Sequence, residues 1–461
     1  MHILLIQPPS NDPLMDQIYL FEPLALEYLG AGLKLDGHQV TLLDARLDSD
    51  VIGIFNRVQP QLVGLTGFTS HLNINLGLAR QLKALDANIT VVVGGHHATV
   101  APEDFNEPAI DVVVRGEGVV SLCAIVSALE EGKPLTAIPG LAIHTPEGLL
   151  LTPERPYTPL DELPLPDRSL TAAYRSRYFS EWFQPLASIR TSLGCTARCT
   201  FCALWSITGG KYLRRDPRRV VEELQSIAEP HVFFCDDESM CDTRRMGELA
   251  DLIAAAGIKK TYFLYARVDT IVRNPQLFEK WSRIGLKQVF VGMEDFSDTR
   301  LAAMKKGTTA AEQAEAATIL KRLGVMLYAS FMVDPAYTRE DFSGLRNHIR
   351  TLKLNYATFT VMTPLPGTEL HRQVEDRLLS RRPELYDMLH ALVPTRLPLP
   401  DFYAELAMLY EKAVPLYRAL PTLFRFGWRN LGVRLKLFGT FLAKVRSSYR
   451  DYEPQTDGRS L

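Results

Sequence analysis

The chain of 461 residues lacks several things, and each absence narrows its function. Net charge is almost nil, 51 lysines and arginines against 53 acids, so no global field draws it to nucleic acid. No apolar run approaches the roughly 18 residues that a membrane span needs. The first apolar run, residues 3–6, is stopped by Pro8 and Pro9, and no basic segment followed by a long apolar one marks an export signal. A cytoplasmic protein is expected. Cysteines number only 6, three of them in one loop, which excludes a disulfide framework and points to a reducing compartment.

What is present alternates strand-like and helix-like stretches twice. His2 to Pro9, Gln39 to Asp44, Leu62 to Phe68, Ile89 to Gly95 and Val112 to Glu117 read as five strands of a doubly wound parallel sheet in residues 1–135. Polar and glycine-rich turns follow three of them, with Thr66, Ser70, Gly94, Gly95, His96, Arg115, Gly116 and Glu117 on the carboxyl edge where such sheets bind ligands. Eight prolines from Pro134 to Pro166 mark residues 136–184 as a linker with a small hairpin. Alternation resumes in residues 185–370, with strands near 186–193, 231–235, 261–268, 288–293, 326–333 and 356–363, six βα units of a partial TIM-like barrel. Residues 371–461 read as helical. In that region Thr422 to Arg446 holds six cations and no acid among many aromatic and aliphatic residues, the composition of a helix that lies at a membrane surface, or of one packed on the barrel with a solvated basic face.

The decisive feature is Cys195, Cys199 and Cys202 at CxxxCxxC spacing, just after the first barrel strand. A closed zinc site takes four protein ligands, so a zinc knuckle would need a distant fourth. Three thiolates on one loop instead leave one iron of a [4Fe-4S] cluster open for chemistry. With Phe201 before the third cysteine, the loop resembles that of the radical S-adenosylmethionine (SAM) enzymes. Gly37-His-Gln-Val-Thr-Leu-Leu-Asp44, Val92-Val-Gly-Gly-His96, Arg115-Gly-Glu-Gly118, Gly292-Met-Glu294 and Thr363-Pro-Leu-Pro-Gly-Thr368 extend the similarity over nearly the whole chain to the cobalamin-binding-domain radical SAM family. Within it the chain is most similar to the hopanoid C-3 methylases, through Phe21-Glu-Pro-Leu-Ala-Leu-Glu27, Val232-Phe-Phe-Cys-Asp-Asp237, Arg267-Val-Asp-Thr-Ile-Val-Arg-Asn274 and Val393-Pro-Thr-Arg-Leu-Pro-Leu399. It departs from them at Gly209-Gly-Lys-Tyr212, where those enzymes carry an aromatic residue, glycine and arginine near the substrate mouth.

The resemblance implies a Rossmann- or flavodoxin-like cobalamin domain, and a barrel that holds a [4Fe-4S] cluster on the three cysteines and cleaves SAM to a 5′-deoxyadenosyl radical. It implies that Asp236, Asp237 or Glu238 binds the SAM amino group, Arg267 its carboxylate and Glu294 its ribose. Asp36-Gly-His-Gln-Val-Thr41 lacks the final glycine of the Asp-x-His-x-x-Gly motif, so no histidine is expected on cobalt, and His96 and His97 are candidates for contact alone. The implied reaction methylates an unactivated carbon of a hopanoid or related polycyclic lipid, with flavodoxin or ferredoxin as electron donor and a peripheral membrane contact. Two alternatives stand beside it: a cobalamin radical SAM enzyme without methyl transfer, like the anaerobic porphyrin cyclases, and a sensor without turnover.

Overall fold

The computed structural model describes residues 1–415, 417–418 and 431–452. Two parallel sheets dominate it. The first contains β1 (His2–Gln7), β2 (Gln39–Asp44), β3 (Leu62–Thr66), β4 (Thr90–Gly94), β5 (Val112–Val114), β6 (Leu141–Thr145) and β7 (Gly148–Leu151), in the order β2-β1-β3-β4-β5-β6-β7. Strands β1 to β5 run parallel and β6 and β7 antiparallel. The small hairpin foreseen among the prolines therefore extends the first sheet rather than standing apart from it. Both faces of this sheet are covered: Leu4, Ile6, Val63, Leu65, Val91 and Val93 pack on one side, and Ile3, Leu5, Leu62, Val92 and Val112 on the other. That is why these strands read as continuous apolar runs.

The second sheet is the partial barrel, β15-β14-β13-β12-β11-β8, all parallel. Its members are β8 (Leu186–Ile189), β11 (His231–Phe234), β12 (Thr261–Ala266), β13 (Leu286–Glu294), β14 (Met326–Val333) and β15 (Ala357–Val361). The stretch 186–193 was expected as one strand. It breaks instead at Arg190 and Thr191, and β9 (Ser192–Leu193) turns away to pair with β10 (Leu213–Arg214). Asp236 causes the break, taking the N–H groups of Thr191 and Ser192 at 2.6 and 2.8 Å and so drawing them out of the ladder.

Side chains alternate across a strand, and here the alternation divides two environments. Val232 and Phe234, Leu264 and Ala266, Val289 and Val291, Ala329 and Phe331 face the helices in one large core. Phe233, Phe263, Tyr265 and Phe290 face the lumen in another cluster. The sheet does not close on itself, and its two edges are covered by other parts of the chain. At β8, Glu22 accepts the Ser188 N–H, Arg168 donates to Ser188 O at 2.6 Å, and Tyr178 O accepts from Leu186 N at 3.0 Å. At β15, Met388 O accepts from Val361 N at 2.7 Å and the Tyr410 hydroxyl donates to Phe359 O.

C-terminal to the barrel, the helix Leu399–Lys412 packs against the helix Leu431–Ser447. The latter buries Leu442 and Val445 against the barrel core. Its cations Lys444 and Arg446 pair with Asp12 at 2.7 Å and Glu411 at 2.5 Å. On its outer side Val433, Leu435 and Phe438 are exposed. The first part of the expected surface helix, residues 422–430, lies outside the described residues. Among those described, no helix is long and apolar enough to cross a membrane.

Candidate active site between two sheet edges

The carboxyl edges of the two sheets meet. The short helix His96–Val100 beyond β4 contacts the short helix Leu204–Thr208 beyond the cysteines, and the Tyr157 hydroxyl, on the chain that joins the two sheets, donates to Ile207 O at 3.0 Å.

The cysteine loop is held from several directions. Gly194 N donates to Asp237 Oδ2 at 2.7 Å, Thr200 N to Met304 O at 3.1 Å, and the Trp205 indole to Ala197 O at 2.6 Å. Gly194 adopts φ +96°, and a Cβ there would lie 2.0 Å from Lys211 O, so only glycine fits. Cys195, Cys199 and Cys202 are half-buried free thiols, and Phe201 between them is half-buried too. Burial pushes Cys195 and Cys202 up to about 11, so thiolates in this loop need cationic compensation, which bound iron supplies. Arg267 Nη1 lies 3.9 Å from Cys199 Sγ. Among the described residues no three His, Cys, Asp or Glu side chains converge on a point close enough for one ion.

The acidic turn after β11 divides its labour. Asp236 is spent on structure, taking the Thr191 N–H and hydroxyl and the Ser192 N–H; it is buried and has no face toward a ligand. Asp237 is exposed, yet desolvation still raises its carboxyl, as expected for a group facing an internal cleft. Glu238 is buried, lifted to about 7 by desolvation, and reaches Arg267 N at 3.4 Å. Arg267 also donates to Asp269 and to Lys306 O. Glu294, closing β13 at φ +65° beside a register shift, meets Lys306 Nζ at 2.5 Å.

On the first sheet, the β1/β3 boundary is the topological switch point, and Thr66 to Ser70 lead away from it. Gly95 (φ +100°) brings the chain so close that a Cβ would sit 2.6 Å from Thr66 Oγ1. Phe68 is 63% exposed, its ring 5.8 Å from that of His96. Among the described residues the His96 Nδ1 and His97 Nε2 atoms are buried without a hydrogen-bond partner, while His97 Nδ1 bonds the Thr69 hydroxyl at 3.1 Å and its Nε2 lies 3.0 Å from Asp104. An open edge with close-approaching glycines, an exposed ring and an orphaned ring nitrogen fits a large planar ligand. Arg115 donates to Thr152 O, Thr99 Oγ1 accepts from Gly116 N, and Glu117 accepts from Val119 and Val120 N, so Glu117 caps the following helix instead of facing this edge.

Sequence reasoning missed Thr191, Lys306, Arg245 and Arg190. Arg245 donates to Thr191 O at 2.9 Å and to Arg215 O at 2.7 Å, bracing the turn into the cysteine loop. Arg190 lies 4.9 Å over the Tyr28 ring with no carboxylate partner among the described residues, a cation available to an anionic ligand. No sequence signal marks any of the four, because each depends on a contact between distant segments.

The B12 binding domain family matches residues 19–126 and the radical SAM superfamily residues 189–349. The hopanoid C-3 methylase of Methylococcus capsulatus is 30% identical over 449 residues, 95% of this chain and 84% of that protein. The chain belongs to the cobalamin-dependent radical SAM methyltransferase family. Its cofactors are cobalamin, SAM and a [4Fe-4S] cluster. The anaerobic magnesium-protoporphyrin IX monomethyl ester cyclase of Synechocystis sp. is a further relative of this enzyme, 27% identical over 77% of the chain and 72% of its own length. Two solved structures share its fold: TsrM from Kitasatospora setae with cobalamin and [4Fe-4S] cluster bound (TM-score 0.68, 20% identity, 81% of this chain and 78% of that one) and OxsB with aqua-cobalamin and SAM bound (TM-score 0.75, 15% identity, 97% and 72%).

Proposed function

We propose that this enzyme transfers a methyl group to an unactivated carbon of a hopanoid, at C-3, or of a related polycyclic lipid. The observation that carries the reading is the similarity to the hopanoid C-3 methylase over 95% of this chain and 84% of that protein. A lumen walled by aromatic rings supports an apolar substrate.

The cofactors supply the radical and the methyl group; the chain's own residues position them and keep water out. Cys195, Cys199 and Cys202 hold the cluster. Asp237 and Glu238, with Asp236 fixing the turn beneath them, accept the SAM ammonium. Arg267 meets the SAM carboxylate, and Glu294, steadied by Lys306, the ribose hydroxyls. Thr66, Ser70, Gly94, Gly95, His96, Arg115 and Gly116 form the cobalamin edge, with no protein nitrogen on cobalt. The Co(II) form is expected to show no nitrogen hyperfine splitting in electron paramagnetic resonance, and splitting that disappears in His96→Ala contradicts this. Peripheral membrane contact, through Val433, Leu435 and Phe438 with Lys436 beside them, and electrons from flavodoxin or ferredoxin complete the reading.

The cyclase relatives favour a second reading, radical chemistry without methyl transfer. Turnover separates the two. Anaerobically reconstituted enzyme with reductant and a micellar hopanoid is expected to yield a methylated lipid, with one S-adenosylhomocysteine and one 5′-deoxyadenosine per product. Substrate-dependent formation of 5′-deoxyadenosine without S-adenosylhomocysteine would establish the second.

A further inference from the structure

The inner face of the partial barrel is packed at Phe233 and Phe263, each 3% exposed, and is less tightly packed toward β15. Tyr265, Phe290, Tyr328 and Tyr356 face inward and keep partial exposure, yet desolvation drives the phenols of all three tyrosines upward. Tyr19, reaching in from the cobalamin domain, is 39% exposed and its phenol is likewise raised by desolvation. Surface that is accessible and poorly solvated at once belongs to an internal chamber.

The chamber is apolar along its length and polar at one end. Ring centroids run Tyr265–Phe290 at 4.9 Å, Phe290–Tyr328 at 5.1 Å and Tyr328–Tyr356 at 4.7 Å, a row of register neighbours that crosses the sheet from β12 to the start of β15. There the Glu181 carboxylate accepts the Tyr356 hydroxyl, and Tyr19 and Tyr328 lie close enough to feel its charge. Arg434 fixes this corner from outside, donating to Glu181 O at 2.8 Å with its guanidinium 5.0 Å from the Trp182 ring. Burial lifts Glu181 to about 7, so near neutrality its carboxyl can donate as well as accept. The hydroxyls of Tyr19 and Tyr265 have no protein acceptor among the described residues. Tyr328 and Val333 are five residues apart on β14, about 17 Å at the usual strand rise, and Val333 lies at the cofactor end.

We propose that this lumen is the substrate chamber and that Glu181, flanked by Tyr19 and Tyr328, anchors a hydroxyl or amine at the end of the substrate remote from the carbon that reacts. The substrate class that follows is a long, rigid amphiphile, apolar over most of its length and polar at its far tip. The inference rests on the lipid reading above for the identity of the occupant, and on the chamber alone for the anchor.

The test uses the full-length reconstituted enzyme and two matched probes in detergent micelles, a polycyclic alcohol (cholestanol) and its parent hydrocarbon (cholestane), followed by tryptophan fluorescence. The alcohol is expected to bind about tenfold more tightly, the scale of one hydrogen bond to a buried charged group. In Glu181→Leu, with cluster absorbance and cobalamin content matching wild type, that preference should vanish, and Glu181→Gln should restore part of it. If Glu181→Leu fails to assemble, Tyr19→Phe is read instead and should weaken the preference. Equal binding of both probes by wild type, or an unchanged preference in the variant read, overturns the anchor. An alcohol preference that depends on Glu181, in an enzyme that methylates no hopanoid, keeps the chamber and retires the lipid-methylation reading. Methylation of hopanoid without the preference does the reverse.

Discussion

The two parallel sheets are built from the same βα unit and end in opposite conditions. The first is sealed on both faces by side chains at or near zero exposure, so only its carboxyl edge is open to a ligand. The second is sealed on its helix face; on its other face Phe233 and Phe263 are buried while Tyr265, Phe290 and Tyr328 keep partial exposure, the wall of the chamber proposed above. Cobalamin need only be gripped at an edge, whereas the substrate must be enclosed while a radical is near it. A sheet packed on both sides has room for the first task, and a curled sheet with one face only partly packed has room for the second.

The largest test of this division is to empty one edge and examine the other. Replacing Cys195, Cys199 and Cys202 together by Ala is expected to abolish the iron charge-transfer absorbance and SAM cleavage completely while cobalamin binding persists, because the cobalamin edge belongs to the first sheet. Replacing Cys123, Cys235 and Cys241 should leave iron content unchanged. Iron retained in the first triple variant, or cobalamin lost with the iron, breaks the separation.

The next compares the two faces of the second sheet. Phe234 is fully buried on the helix side and Phe290 half-buried on the lumen side. Phe234→Ala should destabilise by about 3–5 kcal/mol, as for a well-packed core aromatic. Phe290→Ala should cost about 1 kcal/mol, since it enlarges a space already present. Urea denaturation of both variants decides it; equal losses mean that the lumen is packed after all.

The smallest effect concerns the open edge of the first sheet. Burial pushes His71 and His96 down to about 4, below the ordinary 6.5 or so. The unfolded chain binds more protons than the folded one in this window. Stability from these residues is therefore fully present above about pH 6.5 and falls as pH drops toward 4. His96→Gln should flatten that decline in apo protein between pH 7 and 5. An identical slope means that His96 is solvated enough to titrate normally.

The doubly wound sheet, the six-stranded barrel and the cysteine loop were legible in the sequence because each has a local signature: short apolar runs, glycine turns and thiol spacing. The break at Arg190–Thr191 was not, because the alternation of residues 186–193 continues through it and only Asp236, over forty residues on, breaks the ladder. The acidic turn shows the same limit. Three adjacent acids read as equivalent candidates, and the fold spends Asp236 on backbone amides while leaving Asp237 open. Glu117 likewise reads as an edge residue and serves as a cap. Lumen tyrosines such as Tyr328 and Tyr356 gave no signal, since in sequence an inward aromatic looks the same whether the interior is filled or hollow.

Glu22 at the edge of β8 carries a consequence for how such enzymes diversify. The other domain helps to close the seam of the barrel: Leu20 pairs with Phe179, the Phe21 ring lies 4.9 Å from that of Phe233, and Glu22 caps Ser188. Part of the wall of the proposed chamber is thus inherited with the cobalamin domain. A new substrate cannot be acquired by exchanging barrels alone, nor a new cobalamin domain without reshaping the lumen, so the two halves must vary together, as the two halves of a mould do.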